Sequence, residues 1–250
     1  MSRRQAWVMV ALMWCAAAPC QKSGAPPREF ANSVGMKFVW IEPGSFQMGS
    51  QTGDADERPV HEVTLSKGFY LQVTEVTQRQ WEAVMGSNPS NFKGPNRPVE
   101  DVSWGDAQEF LRRLNEKEKD SRYRLPTEAE WEGACRAGGQ EPGVAADLDE
   151  VAWWWRNSDG VTHAVGQKKP NAWGLFDMRG NVWEWVQDWY GAYSVGRQID
   201  PRGPDSGEYR VLRGGSWLND LTDYFRCAPR SRRRPTDRLV TYGFRCARTP

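Results

Sequence analysis

NAWGLFDMRGNVWEWVQDWY, residues Asn171–Tyr190, sets four tryptophans and two glycines within twenty positions. Rings that large and flat belong in a core, and each indole N–H asks for a polar partner. Asp177 and Glu184 stand seven positions apart on either side of a turn marked by Gly180. Two carboxylates around a tight turn have the chemistry of a calcium site, because Ca2+ takes several hard oxygens and turn carbonyls supply them. The competing reading is a salt-bridged turn that packs Trp183 and Trp185 inward.

Outward from this stretch, the chain has 250 residues, 33 Lys+Arg against 32 Asp+Glu, and a formal net charge of +1. One large domain or two small ones fit that length, and neither needs a metal or disulfide merely to fold. The near-balanced charge argues against a general nucleic-acid or anionic-membrane binder. With 39% hydrophobic and 26% charged residues, wholesale disorder is excluded. The 24 glycines and 16 prolines, together 16% of the chain, exclude a helical bundle and favour a loop-rich fold.

Local signals predict short strands, capped helices and long turns. Lys37–Ile41, Ser45–Met48, Val60–Leu65 and Gly68–Val73 read as strands, with Gly53–Pro59 an acidic loop. Thr77 with Gln80, and Thr127 with Glu130, form capping boxes; Ser103 can cap a third helix. Gly86 closes the first of these helices and Gly138-Gly139 the last. Ala107, Phe110, Leu111 and Leu114 fall at helical spacing on a core face. Asn88–Val99 reads as a structureless loop. No period of 20 to 50 residues repeats, which removes solenoids and propellers. The expectation is one α+β domain, irregular and loop-rich.

Met1–Arg4 carries two arginines, and Ala6–Ala18 follows as thirteen small or apolar residues. That run is too short to span a bilayer comfortably and suits a signal-peptide core. Residues 1–20 are therefore expected to be an export leader, 21–36 a linker, and 37–249 the domain, with order beginning near Phe30. Cys20, after Ala18-Pro19, resembles a lipoprotein acceptor, although Pro19 is a poor fit. Any membrane attachment is expected only through that lipid. Export places the protein in the periplasm, cell envelope or medium. Cys135, Cys227 and Cys246 remain, which gives one pair and one thiol, and spacing alone does not say which two pair. His61 and His163 are the only histidines, which excludes a His-rich zinc or iron site.

Four blocks carry a family resemblance: FVWIEPGSFQMGS (Phe38–Ser50), YRLPTEAEWEGACRAG (Tyr123–Gly138), the Asn171–Tyr190 stretch, and RVLRGGSW with RCAPRSRRRP and YGFRCAR (Arg210–Arg248). Together they resemble the sulfatase-modifying-factor family and its formylglycine-generating-enzyme fold, an irregular variant of the C-type-lectin-like architecture. The resemblance implies one structural calcium held by the Asp177 and Glu184 side chains and the Gly180 and Val182 carbonyls. It also implies a Cys135–Cys227 disulfide and a buried free thiol at Cys246.

The family's oxidase binds Cu(I) between two cysteines, since soft thiolates suit that ion, and converts a substrate cysteine to formylglycine with oxygen. The resemblance places the first cysteine three residues after Ser216, where this chain has Asn219. The segment WLNDLTDYF that follows contains no cysteine and is shorter than the family pattern. Copper is therefore not expected, and no catalytic residue is assigned. Trp183, Ser216, Trp217, Asn219 and Tyr224 remain as a groove for a peptide, glycan or protein. The basic run Arg230–Arg238 can dock an acidic partner or be offset by the Asp54–Glu57 loop within the chain.

The expected function is an exported, non-oxidase binding or accessory module. The alternative is an enzyme of altered oxidative chemistry on an exported peptide or peptide-derived molecule, as some cysteine-poor relatives would imply. A formylglycine oxidase is the least expected. No Ser/His/Asp arrangement, Cys/His pair or phosphate loop supports other catalysis.

Overall fold

The computed structural model describes residues 26–139 and 148–250. The leader, Cys15 and Cys20 lie outside the described residues. Among those described, no helix is long and apolar enough to cross a membrane.

Twelve strands in this region form three small sheets. The first sheet runs β1 (Glu29–Ala31), β2 (Lys37–Ile41), β5 (Phe69–Gln72), β12 (Ala247–Arg248) and β6 (Tyr123–Arg124) in spatial order. The second runs β10 (Arg230–Arg233), β9 (Arg210–Arg213), β7 (Trp183–Trp189) and β11 (Tyr242–Gly243), and the third β3 (Gly44–Met48), β4 (His61–Leu65) and β8 (Gln198–Ile199). β11 pairs with β7 and β8 with β4 in parallel; every other pairing is antiparallel. The last strand returns to the first sheet, where β12 lies between β5 and β6. β1 falls inside the stretch read as a linker: Phe30 pairs with Phe38 and their rings stack at 4.9 Å, so the fold reaches back past Lys37.

Three helices brace the sheets, and each begins at a capping box. α1 (Gln78–Met85) starts from Thr77, whose hydroxyl accepts the Gln80 N–H at 3.3 Å. α2 (Trp104–Glu118) starts from Ser103, and α3 (Glu128–Arg136) from Thr127, with the corresponding bonds at 3.1 Å. Such caps satisfy orphan N–H groups and contribute about 1 kcal/mol each. A fourth, short helix, α4 (Leu148–Val151), had no signature in the sequence.

Two large apolar clusters, with a small third around Trp154 and Phe225, make the core. One joins Met36, Phe38, Trp81, Phe110, Leu114 and Phe244, with Trp81 stacked on Phe110 at 5.3 Å. The other packs Val63, Leu71, Trp131, Ala134 and Val186 around the disulfide. Several indoles find polar partners: Trp104 donates to the Val186 carbonyl at 2.9 Å and Trp185 to that of Val102 at 3.0 Å, whereas the buried indole N–H groups of Trp81 and Trp153 find none among the described residues.

The acidic and basic loops do meet. Glu57, fully buried, takes both arms of Arg226 at 2.8 Å, and Arg230 donates to the Asp56 carbonyl at 3.0 Å. Asp106, Glu128 and Glu208 pair with Arg238, Arg230 and Arg234. Much of the basic run is therefore committed within the chain.

Candidate functional site

The Asp177–Glu184 turn is held by backbone that few residues tolerate. Asp177 and Asn181 have φ of 55° and 60°, in the left-handed region that Asp and Asn enter more readily than most side chains. Gly180 has φ of 91°, and a Cβ there would stand 2.4 Å from the Trp153 carbonyl oxygen. Trp183 and Trp185 follow on β7 and are buried, as the salt-bridged reading of this turn required.

Glu184 lies at the centre. Its two oxygens each take an Arg245 N–H at 2.7 Å, and the Trp131 indole adds a third bond at 2.8 Å. Arg245 is fully buried and also donates to the Gln72, Val73 and Phe176 carbonyls. Beside this pair sit two more buried acids. Glu75 accepts from the Val182 N–H at 3.0 Å and the Asn181 amide at 2.7 Å; burial and the charges of Asp177 and Glu184 hold it well above the usual carboxylate range. Asp177 Oδ2 accepts the Gly166 N–H at 2.7 Å, its Oδ1 has no partner, and burial pushes the group up to about 6.

The calcium set fits only in part. Asp177 offers a buried, unpaired oxygen, whereas Glu184 already faces a guanidinium cation. Among the described residues no cluster of three or more His, Cys, Asp or Glu is arranged to hold a metal ion.

The Cys135–Cys227 disulfide is present and joins α3 to the loop before β10, its partners 92 positions apart in sequence. Cys246 is a buried free thiol in the other core cluster, and burial pushes its pKa up. The described residues therefore contain one reduced cysteine, and two thiolates for Cu(I) do not exist among them. The described residues do not fit a copper centre of that kind.

Ser216–Tyr224 forms the surface where that centre would stand. Gly214 and Gly215, at φ of 100° and 77°, turn the chain out of β9. Asn219 is occupied structurally: its Oδ1 accepts both the N–H and the hydroxyl of Ser216 at 2.9 Å. Trp217 is 7% exposed, meets Phe92 edge-on at 5.4 Å and donates to the Val240 carbonyl at 3.2 Å. Trp183 and Tyr224 meet edge-on at 5.9 Å. The five expected groove residues are thus brought into two neighbouring groups, but Trp183, Ser216 and Trp217 are buried rather than presented.

What faces solvent was not singled out from the sequence. Leu218, Leu221, Trp155 and Leu239 are 55%, 59%, 60% and 48% exposed. Their segments are tied to this loop: the Trp155 N–H bonds the Asn219 carbonyl at 3.2 Å, and Val240, next to Leu239, receives the Trp217 indole. His163 is structural, stacked on Trp153 at 3.8 Å with Nε2 on the Ser158 carbonyl.

The comparisons bear on this scaffold directly. The family model described as "Sulfatase-modifying factor enzyme 1-like domain" matches residues 24–250. The chain is 36% identical to serine/threonine-protein kinase pkn1 of Chlamydia pneumoniae over 85% of its own length, and spans only 38% of that relative. It is 33% identical to chaperone protein LppX of Paenibacillus barcinonensis, covering 76% of this chain and 81% of that one. The solved structure of Treponema denticola variable protein 1 superposes with a TM-score of 0.84 at 33% identity, covering 90% of this chain and all of the other. With this match over nearly all the described residues, and with the fold and disulfide in place, the chain belongs to the sulfatase-modifying factor enzyme 1-like family.

Proposed function

We propose that this chain is a binding or accessory module of its family, not a copper oxidase, and that it meets a polypeptide partner on the surface around Ser216–Tyr224. The observation that carries the reading is a substitution of roles at one loop. Asn219, at the position of the first expected copper thiolate, caps Ser216, while Leu218, Leu221, Trp155 and Leu239 stand exposed around it. Large apolar side chains gathered on one face are the mark of a contact surface. The exposed Asp220 and Asp223 between them favour a partner segment that is both aliphatic and basic. The name of the relative LppX, a chaperone, supports an accessory role.

Export belongs to the same proposal. It is supported by the Met1–Ala18 pattern and by a disulfide, a bond that persists in oxidising compartments. Acylation of Cys20 is the form of anchoring that the leader supports, read by intact mass.

We propose calcium at the Asp177 turn, where Asp177 Oδ1, the Gly180 and Val182 carbonyls and Glu184 would receive it, the last in competition with Arg245. Melting with and without chelator tests it: no shift, with Asp177→Ala equally silent, removes the ion.

The decisive experiment on function incubates the purified chain with Cu(I), oxygen and a CxPxR peptide and follows the aldehyde by mass. No aldehyde is expected. Turnover would overturn the reading.

A further inference from the structure

Between β7 and β8 the chain folds back over α3 and β4 and leaves a cavity of about 300 Å3. It shares no lining residue with the Trp217 surface. Four polar side chains in its wall are more than nine-tenths buried: His61, Glu128, Asp188 and Arg230. Trp189 and Tyr193 add ring surface, and the Tyr193 ring lies 5.0 Å from that of His61.

Hydrogen bonding in this wall is unevenly filled. Glu128 is committed, with both oxygens on Arg230 at 2.7 and 2.8 Å. Asp188 Oδ2 accepts the Glu128 N–H at 2.8 Å, at the first turn of α3, and Oδ1 bonds nothing. His61 Nδ1 donates to the Pro59 carbonyl at 2.9 Å, which leaves Nε2 as an unused acceptor. The Tyr193 hydroxyl reaches Glu128 only at 3.4 Å, the limit of a hydrogen bond. Burial, then the Glu128 charge, pushes Asp188 up to about 8, so its carboxyl is a donor as well as an acceptor at neutral pH.

Charged ligands fit poorly. An anion would face Glu128, and a cation would face Arg230 and Arg202, which also line the cavity. Neutral groups that both donate and accept suit the open positions, and a small ligand site of this kind pairs a few polar groups with aromatic wall. We propose that this cavity is a ligand site for one neutral, polyhydroxylated molecule of monosaccharide size, whose hydroxyls meet Asp188 Oδ1, His61 Nε2 and the Tyr193 hydroxyl.

The test is a titration of the 15N-labelled full chain with D-glucose, N-acetyl-D-glucosamine and myo-inositol, carried to about 100 mM, well past a millimolar Kd. Sodium lactate and ethanolamine are the charged arms. The Trp189 indole resonance reports. At least one neutral probe is expected to give a saturable shift that lactate and ethanolamine do not. Asp188→Leu should weaken it at least about tenfold, equivalent to one lost hydrogen bond of about 1.4 kcal/mol, while Asp188→Asn holds it within about threefold. Should Asp188→Leu fail to fold, Ala192→Trp, at an exposed rim position, blocks the same space. The proposal is overturned if no neutral probe saturates, if only a charged probe shifts Trp189, or if binding survives unchanged in the folded Leu or Trp variant.

Discussion

Replacing Glu184 by Gln tests the ionic centre of the molecule. Gln keeps the shape and can still accept the Trp131 indole, but it removes the charge that faces Arg245. Glu184 is 1% and Arg245 0% exposed, so neither has water as a substitute partner. Breaking one side of a buried pair typically costs about 3–5 kcal/mol. Arg245 retains three carbonyl acceptors and the nearby Asp177 and Glu75, which sets Glu184→Gln near the lower end, about 3 kcal/mol. Arg245→Met strips the only guanidinium from a cluster of three buried acids and belongs at the upper end, about 5 kcal/mol. The double variant should lose less than the sum, with a coupling of about 2–3 kcal/mol, as contacting residues in one network do. Guanidinium unfolding in excess EDTA reads each corner of this cycle, and repetition in calcium reads the ion. Equal midpoints in both media assign the site to arginine. A calcium-dependent gain confined to Arg245→Met would mean that the ion replaces the lost cation. A loss under about 1 kcal/mol for Glu184→Gln, or strict additivity, would refute the central pair.

Other outcomes follow from the same geometry. Removing the Cys135–Cys227 bond by paired Ser substitutions should lower stability by about 4.6 kcal/mol for a loop of 92 residues on the chain-entropy account, seen as a reduced urea midpoint. Asp188 has a folded pKa raised to about 8, above its unfolded value of about 3.9. Its protonated form is therefore the stabilising one, and stability should fall by up to about 1.4 kcal/mol per pH unit between roughly pH 4 and 8. Asp188→Asn removes this slope; parallel wild-type and variant profiles would contradict it. Asn219→Cys should yield no aldehyde with Cu(I), because one thiolate does not make a two-thiolate site, and it should cost about 1 kcal/mol through loss of the Ser216 bonds in thermal melts.

Much of the fold was legible in the chain. Lys37–Ile41 is a strand at the bounds read from KFVWI, and Thr77, Ser103 and Thr127 open helices because capping is a local interaction between residues three apart. The disulfide came through resemblance, since spacing left all three pairings open. What escaped depends on long-range contact. β1 is three residues whose only signal is their partner β2. Nothing local in the sequence marks Arg213 and Arg245 as buried, yet both are fully buried, because Glu132 and Glu184 wait for them across the core. At the candidate site, the missing thiols were plain in WLNDLTDYF. The inward turn of Trp217 and the outward turn of Leu218 and Leu221 were not, because a loop without period gives no face to read. Asp188 had a faint signal: like Glu184 in the same strand, it is an acid among aromatic residues and asks for a buried partner.

β10 closes one margin of its sheet, and among the described residues its outer backbone has no strand beside it. A bare margin of this kind is a template for stacking against another molecule. Here three of its four residues are arginines. Arg232 lies over the Tyr190 ring at 4.6 Å, Arg230 over Tyr193 at 4.1 Å, and Arg233 near Tyr242. Arg230 is spent on Glu128, but Arg232 and Arg233 are exposed, so a second copy approaching edge to edge meets like charge. The fold thereby carries its own protection against fibril growth, and neutralising Arg232 and Arg233 would be expected to cost colloidal solubility before it cost anything in folding.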